Sequence, residues 1–280
     1  MPRMEPLTPV YTAELFPGLL AELVGLLRGL DEADWDRPTV AGAWRVRDVA
    51  AHLLDGDLRK LSFGRDGRPT GGGPALSYGE VMQLIQRANE TGVAYARRLS
   101  PRVITDLLEV TGRWVADYVA SLPPHEEAHI PVAWAGEDRS ENWMDTGREY
   151  TERWHHQMQI RDALGAPGLL QRQWLHPLLE LSVRALPRAY AGVDARPGTA
   201  VVLQVKAEGE NTWSVVREDA GWIVFRGAAP DAAARVRMDA DAAWKLLFNA
   251  LPPDDARSRV AITGDAALAE PLLRARSVMV

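Results

Sequence analysis

Cysteine is absent from the sequence. That absence excludes disulfides, a cysteine nucleophile, thiolate zinc sites and cysteine-ligated iron–sulfur clusters. Any sulfur chemistry must therefore use a thiol from outside the chain. Long apolar runs are also missing. No stretch of about 18 apolar residues occurs, so no segment is expected to span a membrane. The start, MPRMEPLTPVYTAELFPG, lacks the apolar core of a signal peptide, and a cytoplasmic location is the expectation. Positive charge is not in excess. The chain carries 32 Lys and Arg against 38 Asp and Glu, a net charge of −6, which excludes a strongly basic nucleic-acid binder. The Gly-Gly-Gly at 71–73 is not followed by Gly-Lys-Ser/Thr, so it is no phosphate loop. Phe is scarce at four residues, whereas Trp numbers ten and suits cores and pocket walls alike.

What is present is the 46% hydrophobic and 25% charged composition of a globular protein, and 280 residues suggest about two domains. Apolar spacing predicts helices over 11–30, which Pro17 would kink or delay, and over 45–61. A Gly- and Pro-rich loop follows at 64–75. Helices are expected at 78–99, started by a Ser77/Glu80 capping box, at 101–121 before Pro123-Pro124, and at 140–164 before Gly165. After 168 the pattern changes. A helix near 173–189 precedes AVVLQVKAEG, NTWSVVRED and GWIVFRG, three runs that read as an antiparallel meander. A helix at 239–249, a strand at 258–263 and a helix at 265–275 close the chain. The fold class read from this is α followed by α+β: an antiparallel four-helix bundle over 1–168, then a small α+β domain over 169–280.

The six histidines are 52, 125, 129, 155, 156 and 176. His52 borders the apolar stripe of its helix. On the 140–164 helix, Glu149, Glu152, His156, Ile160 and Ala163 share one face. A carboxylate and an imidazole at i, i+4 can meet one cation, and a third ligand from another helix would leave a position open. From spacing alone, metal binding and an ordinary solvated pair both remain open. His155 reads as a surface residue by phase. His125 and His129 share the same spacing, but flanking prolines predict an exposed turn there. Asp48, one turn before His52, could orient that imidazole or could simply meet the start of its helix. Trp44 and Trp154 could wall a pocket or pack in the core.

Two segments carry a resemblance. VAGAWRVRDVAAHLLDGD, with its Trp, Arg-Asp and Ala-His-Leu, and GREYTERWHHQMQIRDALG, with Glu-x-x-x-His, resemble the two signatures of the DinB-like, mycothiol-dependent maleylpyruvate isomerase N-terminal family. The resemblance covers about residues 8–168. It implies a divalent metal, usually zinc with nickel as another possibility, on His52, Glu152 and His156, or on His155 if the register differs. It further implies an external thiol such as mycothiol. A metal-held thiolate could add to an activated double bond, allow rotation and leave, or remain as a transferred sulfur. The alternatives are a hydrolase using water at the open position and a non-catalytic binding or regulatory protein. Arg45 stands where the family often has a Ser or Thr cap, which leaves the start of that helix open. DADAAWKLLFNAL and AITGDAALAEPLL resemble a sterol-carrier-like C-terminal domain. Arg226, Arg235 and Arg237 are candidates to meet a substrate carboxylate. A small-molecule substrate and thiol, no nucleic acid, no membrane, and a monomer or homodimer are the expected partners.

Overall fold

The structure is a computed structural model that describes residues 4–68, 78–209 and 211–278. Helix α1 (Phe16–Arg28) follows a 3-10 turn at Ala13–Leu15. Pro17 lies in its first turn, where a missing N–H costs nothing, so the helix is delayed to Phe16 rather than kinked. Helix α2 (Val46–Arg59) continues as a π-helical turn over Lys60–Arg65, one residue beyond the point where the expected loop starts. Most of that loop, and Ser77 of the expected capping box, lie outside the described residues. Helix α3 spans Tyr78–Ala96. Helix α4 (Pro101–Ser121) starts where Ser100 Oγ accepts the Val103 N–H. Helix α5 (Asn142–Leu164) stops at Gly165, whose φ of 64° supplies the left-handed turn.

These helices pack through α2. It touches α3, α4 and α5, while α1 packs on α4 and α5. Leu23, Leu27, Val49, Leu53, Leu108 and Ile160 bury together at that junction. With so many neighbours, α2 is buried on nearly every side, including at His52. A histidine there leaves water on folding, which sets up the chemistry described below.

The chain divides into two compact units. The helical one comprises 11–129 and 141–169. The other comprises 1–10, 130–140 and 170–280, so two short segments that precede residue 168 group with the α+β part. Pro6 pairs with Phe225, and Ser140 Oγ accepts the Val132 N–H at 2.8 Å. No periodic pattern in the sequence marks either segment.

The second unit holds helices α6 (Arg172–Ser182) and α7 (Leu186–Ala189), then one six-stranded sheet. Its strands are β1 (Glu5–Pro6), β2 (Ala200–Lys206), β3 (Thr212–Glu218), β4 (Gly221–Arg226), β5 (Ala234–Asp239) and β6 (Val260–Gly264). The order is β1-β4-β3-β2-β5-β6. The β2–β3–β4 meander is antiparallel as the sequence suggested, but β5 runs parallel to β2 and makes the sheet mixed. Helices α8 (Ala240–Leu247), α9 (Pro253–Arg259) and α10 (Ala266–Arg274) complete this unit. No described helix is long and apolar enough to cross a membrane.

Candidate metal centre

His52 lies in the middle of α2, and Glu152 and His156 lie one turn apart on α5. Each offers one ligand atom, and the three atoms lie within 4.8 Å of one another. His156 Nε2 faces Glu152 Oε2 at 3.4 Å. Two ligands on one tetrahedral zinc, with bonds of about 2.0–2.1 Å, sit about 3.3 Å apart. The other nitrogen of His156, Nδ1, meets Gln159 Oε1 at 2.8 Å. With a metal at the site, Nδ1 would donate its proton to that amide oxygen and Nε2 would be left as the ligand atom. His52 and His156 stand edge to face with ring centres 4.5 Å apart, and the Trp44 ring lies 5.0 Å from that of His52. His52 Nδ1 is buried with no hydrogen-bond partner among the described residues. A buried orphan nitrogen costs free energy unless something is bound to it.

Electrostatics favour the same use. Burial pushes the His52 imidazole well below its ordinary value, and His156 adds to the effect. Burial alone would raise the Glu152 carboxyl, but the hydrogen bond with His156 and the neighbouring imidazoles hold it below the usual carboxylate range. A neutral imidazole and an ionised carboxylate are the forms that a metal needs. Two imidazoles and one carboxylate fit zinc by donor type.

The other candidates fall in different places. His155 is buried, not on the surface, because α5 is enclosed on that side as well. Its Nδ1 meets the Thr151 carbonyl at 2.9 Å, its ring stacks 3.9 Å from His156, and it is not in the three-residue cluster. Glu149 is held by Arg148 and Arg153. Asp48 does not reach His52. Its Oδ2 accepts the Arg45 N–H at the start of α2 and its Oδ1 takes Arg97 Nε at 2.8 Å. The helix thus begins at Val46 with Arg45 as its cap residue, and the carboxylate at the third position supplies the missing acceptor. Trp154 has no exposed surface and packs in the core, whereas Trp44 lies beside the histidines. His125 sits on an exposed turn between Tyr11 and Glu141. Arg226 forks onto the buried Glu180 carboxylate, Arg235 donates to the Ala229 and Pro230 carbonyls, and Arg237 donates to Gln204, so each guanidinium is already engaged. Gln159 was not anticipated; its i+3 spacing from His156 was the available signal.

Comparison with known families decides the membership. The family described as the mycothiol maleylpyruvate isomerase N-terminal domain matches residues 16–161, more than half of the chain. The chain belongs to that family. The matched span runs from the start of α1 into the last turn of α5 and includes all three residues of the cluster. Two crystal structures, of the mycothiol-dependent maleylpyruvate isomerase and of its histidine-to-alanine variant, are similar in fold. Both have a TM-score of 0.55, with 13% and 12% identity respectively, and each match covers 91% of this chain and 92% of the other. The fold shared with this member of the family therefore extends over both units. No curated protein matches the sequence.

The buried histidines also set an acid dependence. Burial and His156 push His155 down to about 3. Between that value and the ordinary 6.5 an unfolded chain binds a proton there that the folded chain does not. Stability of the metal-free protein should therefore fall as pH drops below about 6.5, by about 1.4 kcal/mol per pH unit for each such histidine in mid-window. Urea midpoints at a series of pH values should show this decline. His155→Gln should make it shallower, and equal slopes in the two proteins would contradict the assignment.

Proposed function

We propose that His52, Glu152 and His156 hold a divalent metal, zinc by their donor chemistry with nickel the second candidate. The protein uses it with an external low-molecular-weight thiol of the mycothiol kind. The reaction is an isomerisation, or a sulfur transfer, on a small electrophile. The observation that carries this reading is the convergence of three ligand atoms, from two helices, within 4.8 Å of one another. Three protein ligands leave a coordination position for an incoming group. Family membership and the named activity of the similar structures support the thiol, as does a chain with no cysteine of its own.

When bound, the metal would supply Lewis acidity that favours thiolate over thiol near neutral pH. The protein supplies the setting. Gln159 fixes the His156 ring so that Nε2 faces the site. Trp44 covers one side of the histidines and keeps them in an apolar environment. Burial keeps His52 neutral, so it is ready to donate its lone pair. The substrate class that fits is a small molecule with an activated cis double bond, as in the activity named for the similar structures.

The test uses the full-length, metal-loaded protein with a small thiol and a cis-configured unsaturated keto acid. The reading expects trans product only when metal and thiol are both present. Turnover that needs the metal but ignores the thiol would overturn the thiol chemistry in favour of water at the open position. Metal retained without any turnover would favour a binding role.

A further inference from the structure

Helix α4 has two apolar faces. One, with Ile104, Leu108, Val115 and Val119, is buried inside the helical unit. The other carries Val103, Leu107, Val110 and Trp114, each between 40% and 49% exposed. These are four of the ten exposed large hydrophobic side chains among the described residues, gathered on one helix. Scattered exposed hydrophobics need no explanation, but a contiguous stripe marks an interaction surface. Their spacing of four, three and four residues is the seam of a helix pair, and at about 100° per residue they fall within about 60° of one another.

The charges beside the stripe identify the partner. Arg102, Asp106, Arg113 and Asp117 are all exposed and, at that helical phase, all lie on one flank of it. They are placed symmetrically about the point midway between Glu109 and Val110, and each base is matched by an acid at the same distance on the other side. A second α4 turned end for end would set Arg102 opposite Asp117 and Asp106 opposite Arg113, twice over. The apolar stripe has its own centre one residue earlier, between Leu108 and Glu109: there Leu107 lies opposite Val110 and the large Trp114 opposite the small Val103, and the charge pairs are offset by only about 3 Å along the axis, within reach of an arginine side chain. A parallel pair would instead lay this charged flank against the opposite flank of its partner, where Ile104, Thr111 and Tyr118 carry no opposite charge. The existing pairs on this face, Arg102–Asp106 at 3.7 Å and Arg113–Glu109, are exposed i, i+4 contacts of little strength and can be exchanged.

We propose that this face of α4 is the contact of a two-fold, antiparallel homodimer. The stripe is only about 17 Å long, from eleven steps of about 1.5 Å, so it buries less than the roughly 800 Å² per partner of a standard interface. The dimer is therefore weak and concentration-dependent, with a dissociation constant on the order of 10 µM. It is independent of the metal.

Sedimentation equilibrium on the full chain from about 1 to about 100 µM should show the dimer fraction rise. Arg113→Asp should weaken it about tenfold by facing Asp106 of the other copy, and adding Asp106→Arg should restore it. All these side chains are exposed, so folding is unaffected, and the restoring pair separates lost complementarity from damage. The cysteine-free background allows a second readout. Leu107→Cys with Val110→Cys should give a disulfide-linked dimer on oxidation, whereas Val103→Cys alone should not, because its two copies lie about 17 Å apart. A monomer at every concentration, a charge swap that fails to restore, or ready cross-linking through Val103→Cys alone would each overturn the proposal.

Discussion

His156→Ala should remove tight binding of divalent metal. His52→Ala and Glu152→Ala should do the same, each through the loss of a direct ligand. Gln159→Leu should weaken binding by about 10- to 100-fold, as is typical when the outer partner of a ligating imidazole is lost. His155→Ala should keep the metal, because its Nδ1 is turned to the Thr151 carbonyl and the residue stands outside the cluster. Titration of each metal-free variant with zinc, using a competing chelator, measures these effects directly. Metal retained in His156→Ala but lost in His155→Ala would show that the other histidine of the pair is the ligand. If neither mattered, the cluster would not be a metal site.

Arg153→Ala should cost about 3–5 kcal/mol of folding stability, the range for breaking a buried ion pair from one side. Arg153 bridges two helices. It meets Asp57 of α2 at 2.6 Å and Glu149 of α5 at 3.0 Å, and Thr111 of α4 completes Asp57 at 2.8 Å. All three ionisable side chains are at most 14% exposed. Burial already pushes the Asp57 carboxyl above its ordinary value despite Arg153, so removing the guanidinium leaves that carboxylate buried against the pull of desolvation. Lys60 and Arg148, which share Asp145 and Glu149, continue the same network along α5 toward its N-terminal end. Urea unfolding of the metal-free protein measures the loss. Arg102→Ala, at the exposed Arg102–Asp106 contact, should leave the urea midpoint unchanged.

Much of the helical unit could be read from apolar periodicity because each helix buries a continuous stripe. The span of α4 is the expected one, since Ser100 and the prolines that bracket it are local signals. Strand β5 was missed although Ala234, Val236 and Met238 alternate with Arg235, Arg237 and Asp239. Its partner is β2, about 30 residues earlier in a parallel pairing, and no local pattern announces such a contact. The π-helical turn after α2 depends on what packs around Lys60, which is fixed by Asp145 from a distant helix. At the site, helical phase put Glu152 and His156 on one face, and the first signature contributed His52. Asp48 was ambiguous because a carboxylate one turn before a histidine is also at the third helical position. Its contacts with Arg45 and Arg97 settle which role it has. That His155 would be buried was hidden because α5 is enclosed on more than its striped face.

X-ray absorption at the zinc edge of the zinc-loaded, full-length protein, before and after addition of a small thiol, tests the central claim most directly. The account predicts imidazole scattering in a nitrogen and oxygen shell at about 2.0–2.1 Å, lost in His156→Ala, and one sulfur at about 2.3 Å once thiol is added. A shell without imidazole, or one that gains no sulfur at saturating thiol, would contradict it.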